Sequence, residues 1–354
     1  MNNLKSVTVS LFTFLFLLSG LRAEETASNE LSVEELKTVA QSMRAVEDAL
    51  LNVRIDSNAW VEEGPSSTGP WERTPLCWST TAYYGKISSN QARIDFHKYV
   101  MRWENGAAPY LEESYSVSFD GEQCRRKEIS SSYNGKTFDR HSGFIFPKEL
   151  ALGLLRSFGR ITGVEASLFF HYCGMPEPFP KRFSVSFEGA ADPNSFLAAL
   201  AAADPRYLNR KPLKHKVVFE ELGGIQCIKA ACLADTAPTK WWFDPNRGFA
   251  LLRYDDLRKD KDGNERVISS IEVTKLEKVA ENIWWPMEAY FIDCPPENGK
   301  PWKRIVYRAS NVVANDPNFD ESIFTVPFPD GYLIDDQVTG RKYTVGEEPN
   351  APEN

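Results

Sequence analysis

The feature that most constrains this chain is an alternation of apolar and polar residues with a period of two. Tyr115, Val117 and Phe119 alternate with Ser114, Ser116 and Ser118. Phe183, Val185 and Phe187 alternate with Arg182, Ser184, Ser186 and Glu188, and Trp285, Met287, Ala289 and Phe291 mark a third run. Successive side chains of a strand point to opposite faces, so these runs predict strands with one greasy and one wetted face. That is the pattern of antiparallel sheet covered on one side. Turn dipeptides fall between such runs at Asp120-Gly121, Asn134-Gly135, Asp262-Gly263 and Asp330-Gly331. Beyond residue 213 the chain reads as a meander with strands at 214–221, 225–233, 239–243, 248–258, 266–277, 283–293 and 302–310. No helix separates consecutive strands there, which excludes a doubly wound α/β fold.

Helical periodicity is confined to three places. Ser32-Val33-Glu34-Glu35 is a capping box, followed by Leu36, Val39, Met43, Val46 and Leu50 at helical spacing, which predicts a helix over about 33–52. Two further helices are expected, one from Lys148 to Phe158 behind Pro147, the other from about Asn194 to Ala203 between Pro193 and Pro205. The predicted fold is α+β: one large curved antiparallel sheet, a half β-barrel, with helices packed on its concave face. It forms a single domain over residues 24–346, with a disordered acidic tail at 347–354.

The first 23 residues read as a cleavable signal peptide. Lys5 gives the positive start, Val7 to Leu18 the apolar stretch, and the small residues up to Ala23 the cleavage site. That stretch is too short for a bilayer span, which needs about 20 residues. The expected location is therefore periplasmic or secreted. Without Lys5 and Arg22, 39 basic residues face 49 acidic ones. An acidic chain with no basic cluster argues against nucleic acid as a partner.

Six cysteines, Cys77, Cys124, Cys173, Cys227, Cys232 and Cys294, in an oxidising compartment predict one to three disulfides. Cys227 and Cys232 lie five residues apart on one expected strand, roughly 16 Å by strand rise and on opposite faces, so they are not expected to pair.

Catalytic patterns are not found in the sequence. His97, His141, His171 and His215 are scattered, and no nucleophile elbow, phosphate loop or zinc spacing occurs. Asp260 to Glu265 looks like a calcium loop, but Arg258 and Ser269 fall where ligands belong, so a hairpin tip is expected. No cofactor is expected. Trp241-Trp242 and Trp284-Trp285 each send one ring to each face of a strand. One ring of each pair, Trp242 and Trp285, is a candidate for the lining of an apolar cavity.

Several segments resemble the periplasmic half-barrel family of lipoprotein carrier and receptor proteins, which includes a sensor of mislocalised lipoproteins. They are Trp242-Phe243-Asp244-Pro245-Asn246-Arg247-Gly248-Phe249 with Leu251 and Leu252, then Ile283-Trp284-Trp285-Pro286-Met287, and the stretch from Phe319-Asp320 through Phe324-Thr325-Val326-Pro327 to Pro329-Asp330-Gly331. The resemblance implies a cavity under a curved sheet that takes acyl chains. The expected function is a non-enzymatic exported carrier or sensor of a lipid or lipidated protein. Its expected ligand face draws on Val117, Phe119, Phe183, Val185, Phe187, Trp242, Trp285, Met287 and Phe291. The alternative is an envelope module that binds a protein partner and no small ligand, with its sheet packed shut. An enzyme acting on polysaccharide, with paired carboxylates in a cleft, is a third possibility.

Overall fold

A computed structural model describes residues 30–65, 70–85, 91–101, 109–133, 136–139, 141–147, 215–232, 238–293 and 302–347. The expected signal peptide, the helices at 148–158 and 194–203, and the run carrying Phe183, Val185 and Phe187 lie outside the described residues.

One helix, α1 (Val33–Ala49), opens the described chain. Its capping box forms as read: the Ser32 amide donates to Glu35 Oε2 at 2.7 Å, and the Glu35 amide donates to Ser32 Oγ at 3.4 Å. The helix stops earlier than its periodicity suggests. Leu50 is still buried, but its backbone is already extended. Asn315 fixes that exit: its side chain donates to Ala49 O at 2.8 Å and accepts from the Leu51 amide at 2.7 Å.

The first meander comprises β1 (Val53–Gly64), β2 (Glu72–Tyr84), β3 (Ala92–Met101), β4 (Pro109–Phe119), β5 (Gln123–Tyr133), β6 (Lys136–Asp139) and β7 (Ser142–Pro147). The second comprises β8 (His215–Leu222), β9 (Ile225–Cys232), β10 (Thr239–Asp244), β11 (Ala250–Lys259), β12 (Glu265–Ala280), β13 (Ile283–Asp293) and β14 (Trp302–Ala314). These seven strands follow the expected boundaries within a few residues. Two short strands, β15 (Leu333–Asp336) and β16 (Arg341–Thr344), close the described chain.

All sixteen strands join one sheet, in the order β16-β15-β7-β5-β4-β3-β2-β1-β14-β13-β12-β11-β10-β9-β8, with β6 against β5. The two meanders meet where β1 pairs with β14. The end strands β16 and β8 do not pair, so the sheet is open. One expectation needs correction: β15 pairs with β7 in parallel, so the sheet is not wholly antiparallel. The described residues hold one α-helix, and the other two expected helices lie outside them. The parallel pair arises because residues 315–332 cross the sheet instead of turning back. On the way Arg93 donates to Ile323 O and the Val326 amide to Ser118 Oγ. Gly143 makes room for this return, since a Cβ there would collide with the Phe328 ring and with Ile334.

α1 packs on one face of the sheet, called here the helix face. Leu36, Val39 and Met43 sit with Ile228, Phe243 and Leu251 in one apolar cluster. A larger cluster on the same face joins both meanders, with Ile55, Ala82, Ile94, Ile271, Trp285 and Tyr307 among its members. Burying each such large side chain contributes roughly 1.5–3 kcal/mol, so this face is where the fold is held.

The expected disulfides are not formed by the cysteines whose side chains are described. Cys77, Cys124 and Cys227 are all buried and none is bridged. Cys124 lies on the helix face beside Phe119, whereas Cys227 lies in a small cluster with Trp242 and Leu252 on the other face. The expected strand through Cys227 and Cys232 is β9.

Candidate functional site

Strand register builds one continuous apolar row across the helix face. Val61 on β1 faces Ile305 on β14, which faces Phe291 on β13, which faces Ile271 on β12. The row goes on through Tyr254 on β11 and Trp241 on β10 to Ala230 on β9. Six strand spacings of about 4.8 Å make it roughly 29 Å long. Ile271 is sealed at 1% exposure, but the other six are only partly buried. Met287 and Val273 add partly buried apolar surface on the same face.

α1 runs beside this row and leaves a narrow cleft. The cleft lies between Met43, Val46 and Leu50 of the helix segment and Phe249, Leu251 and Trp285 of the sheet. Its cavity volume is about 40 Å³. That is space for roughly three water molecules, not for a ligand. The turn that forms the cleft's far wall depends on Asp244, whose side chain accepts from the Asn246 amide at 2.9 Å, and on Gly248, which adopts a left-handed φ of 61°.

The residues expected to line a ligand face divide into four groups. Val117, Phe119 and Trp285 are on the helix face but each is only 1% exposed, packed as core. Met287 and Phe291 are on the same face and partly buried, Phe291 within the row itself. Trp242 points the other way. Alternation along β10 sends Trp241 and Phe243 to the helix, so the ring between them lies on the opposite face. There its indole N–H donates to Glu220 Oε1 at 3.0 Å, and Lys229 and Arg253 lie over its ring. Phe183, Val185 and Phe187 lie outside the described residues. Tyr254, Ile305 and Val61 were not singled out in the sequence, and of the Trp241-Trp242 pair the other ring was chosen. Each sits in a strand, but only the cross-strand register shows that they share a row.

The chemistry of the row is that of an apolar surface. No group of three or more His, Cys, Asp or Glu suited to a metal ion occurs among the described residues. Burial pushes the Cys124 thiol up to about 12, helped by the nearby negative charge of Asp120. Burial pushes Cys227 up to about 11, with Asp244 adding to the shift. Neither supplies a nucleophilic thiolate at neutral pH. No helix among the described residues is long and apolar enough to cross a membrane.

No protein-family model matches the sequence, and no curated protein is significantly similar to it. Among solved structures, the chain is similar to an outer membrane lipoprotein-sorting protein domain from Vibrio parahaemolyticus. The two share 8% identity over 83% of this chain and 97% of that one, at a TM-score of 0.41. It is also similar to a DUF1329 family protein from Desulfovibrio piger, at 12% identity, the same coverage and a TM-score of 0.34. A third is from the MucA/MucB complex of Pseudomonas aeruginosa, at 8% identity over 78% of this chain and 94% of that one, with a TM-score of 0.21.

Proposed function

We propose that this chain is a non-enzymatic binding protein of the cell envelope that holds the apolar part of a lipid or lipidated protein along its helix face. One observation carries the reading: in an apolar row seven strands long, six of the seven side chains keep partial exposure beside α1. A contiguous apolar surface of this kind in a folded chain marks a binding site. Its long, narrow form suits an extended chain better than a compact ligand. The overall charge of −8 does not suit nucleic acid.

Displacement of a fluorescent fatty-acid probe from the purified protein tests this. Phe291→Asp and Ile305→Asp are expected to weaken probe binding by about tenfold or more, equivalent to ~1.4 kcal/mol. Leu333→Asp, at an exposed site 55% open to solvent on β15, is expected to leave it unchanged. No probe binding, or binding insensitive to both row variants, refutes the reading. A second reading, a protein-interaction module without a small ligand, draws on the close packing of Val117, Phe119 and Trp285. It is favoured if native mass spectrometry finds no lipid retained and the probe does not bind.

A further inference from the structure

The face opposite α1 carries a different surface on the first meander. Register aligns two rows of short polar side chains across β1 to β4. One row is Asn58, Ser79, His97 and Ser114; the next is Asp56, Thr81, Asp95 and Ser116. A solvated sheet face is commonly covered by long charged side chains, whereas these eight are short. Longer side chains stand on either side. On one flank Arg54 and Arg93 lie over the Tyr83 ring at 5.7 and 5.9 Å. On the other, Arg73 and Arg308 lie over Trp60 at 4.8 and 5.5 Å. Between these flanks lies a shallow, open trough of about 390 Å³, with Asn58, Ser79, Asp95, His97 and Ser114 in its lining and the exposed Ile129 at its β5 side.

The polar groups in the trough are held in place before any ligand arrives. Asp56 accepts from Thr81 Oγ1 at 2.8 Å, from Asn311 at 3.1 Å and from Arg54 at 3.3 Å. Asp95 Oδ1 accepts from Arg93 Nε at 2.9 Å and from Ser116 Oγ at 2.6 Å, while Asp95 Oδ2 accepts no hydrogen bond among the described residues. His97 Nδ1 and Ser114 Oγ are 2.6 Å apart. Each aspartate is matched by its own arginine, Arg54 for Asp56 and Arg93 for Asp95. The trough therefore favours neither an anion nor a cation. It offers fixed acceptors, hydroxyls and an amide in rows, which is the complement of a neutral molecule bearing many hydroxyl groups.

We infer that this trough binds a neutral polyhydroxylated ligand, a saccharide, on the sheet face opposite the proposed lipid site. Binding is direct hydrogen bonding to fixed donors and acceptors, with Asp95 Oδ2 taking a ligand hydroxyl.

The test is calorimetric titration of the full chain with maltotriose, with chitotriose and, separately, with sodium phosphate. At least one sugar is expected to bind saturably with a Kd of about 1 mM or tighter, and phosphate is not. Asn58→Trp fills the trough from an exposed strand position and is expected to weaken sugar binding by more than about tenfold. Asp95→Asn, which exchanges an acceptor for an amide, is expected to weaken it by roughly three- to tenfold. Ser79→Leu on the neighbouring strand is a second filling variant and is expected to act like Asn58→Trp. All three are judged on protein whose melting temperature shows it folded, and all are expected to retain the fatty-acid probe. Absence of saturable binding by both sugars, equal binding of phosphate, or sugar binding unchanged in the filling variants overturns the inference.

Discussion

Two glycines with left-handed backbone, Gly248 and Gly263, allow the wall of the helix cleft to be weighed against an ordinary turn. Both have positive φ, 61° and 84°. An alanine at either pays for the left-handed conformation, about 1–2 kcal/mol, and regains about 0.4–1 kcal/mol through a less disordered unfolded chain. At Gly263, in the β11–β12 turn, nothing lies within 4 Å of an added Cβ, so the net loss is expected to be about 1 kcal/mol. At Gly248 the same Cβ collides with the backbone carbonyl of Asn282 and touches Val46 of α1 at 3.6 Å. A backbone oxygen cannot rotate aside as a side chain can, and Asn282 is itself held at a φ of 60°. Overpacking then adds about 1–3 kcal/mol, for a total near 2–4 kcal/mol. Urea unfolding followed by tryptophan fluorescence measures both variants, with Trp284 and Trp285 close to the altered turn. Equal losses at the two positions, or a smaller loss at Gly248, would show that the turn can retreat from the helix and that the cleft wall is not rigid.

Three further outcomes are expected. Ser32→Ala removes the side-chain half of the capping box, leaving the residue-32 amide bonded to Glu35, and is expected to lower stability by about 1 kcal/mol, seen as faster amide exchange in the first turn of α1; unchanged exchange there would refute the cap's role. Cys124 is expected to react with iodoacetamide at pH 8 about a thousandfold more slowly in folded than in denatured protein, since its thiol titrates near 12 against an ordinary 9.0; peptide mapping that finds the two rates within tenfold contradicts this. Burial raises the Asp56 carboxyl, but hydrogen bonds from Asn311, Thr81 and Arg54 outweigh it, so its pKa lies below the ordinary 3.8. A lowered carboxylate contributes stability that is complete above the unfolded value and disappears as pH falls through the folded one. Asp56→Asn is therefore expected to flatten the acid loss of stability below about pH 4, measured by urea unfolding across pH, and an unaltered profile would exclude that contribution.

The second meander was legible because its cues are local. Apolar residues alternate on β13 with little interruption, and Asp262-Gly263 marks the turn between β11 and β12. The early strands are harder to see. Ser57 and Thr80 point into the helix face and satisfy one another there, oxygen to oxygen at 2.7 Å, so buried positions look wet in the sequence. The register shift opposite Asp56 and Ser57 falls in β14, where Ser310 is the extra residue and breaks that strand's period. The parallel pairing of β15 with β7 carries no local signal, because it depends on a crossing segment. Alternation was enough to put Met287 and Phe291 on one face of β13. The phase of β10 decides between Trp241 and Trp242, and three aromatic residues in a row, Trp241-Trp242-Phe243, leave that phase unmarked in the sequence. The row itself is a product of register among seven strands, which no single run of residues encodes.

The pairing of β1 with β14 has a consequence for the order of assembly. Until β14 is in place, β1, paired on one side with β2, is an edge strand whose other row of amides and carbonyls is unpaired and open to other chains. The same arrival fastens the helix: Asn315, which follows β14 directly, grips Ala49 and Leu51 across 266 and 264 positions of sequence. Contacts that distant form late, because the whole intervening loop must be ordered first. A chain interrupted before residue 302 thus keeps β1 as a bare edge and loses the anchor that ends α1. Closing the middle of the sheet and locking the helix beside the apolar row are one event, and neither half of the molecule can complete it alone.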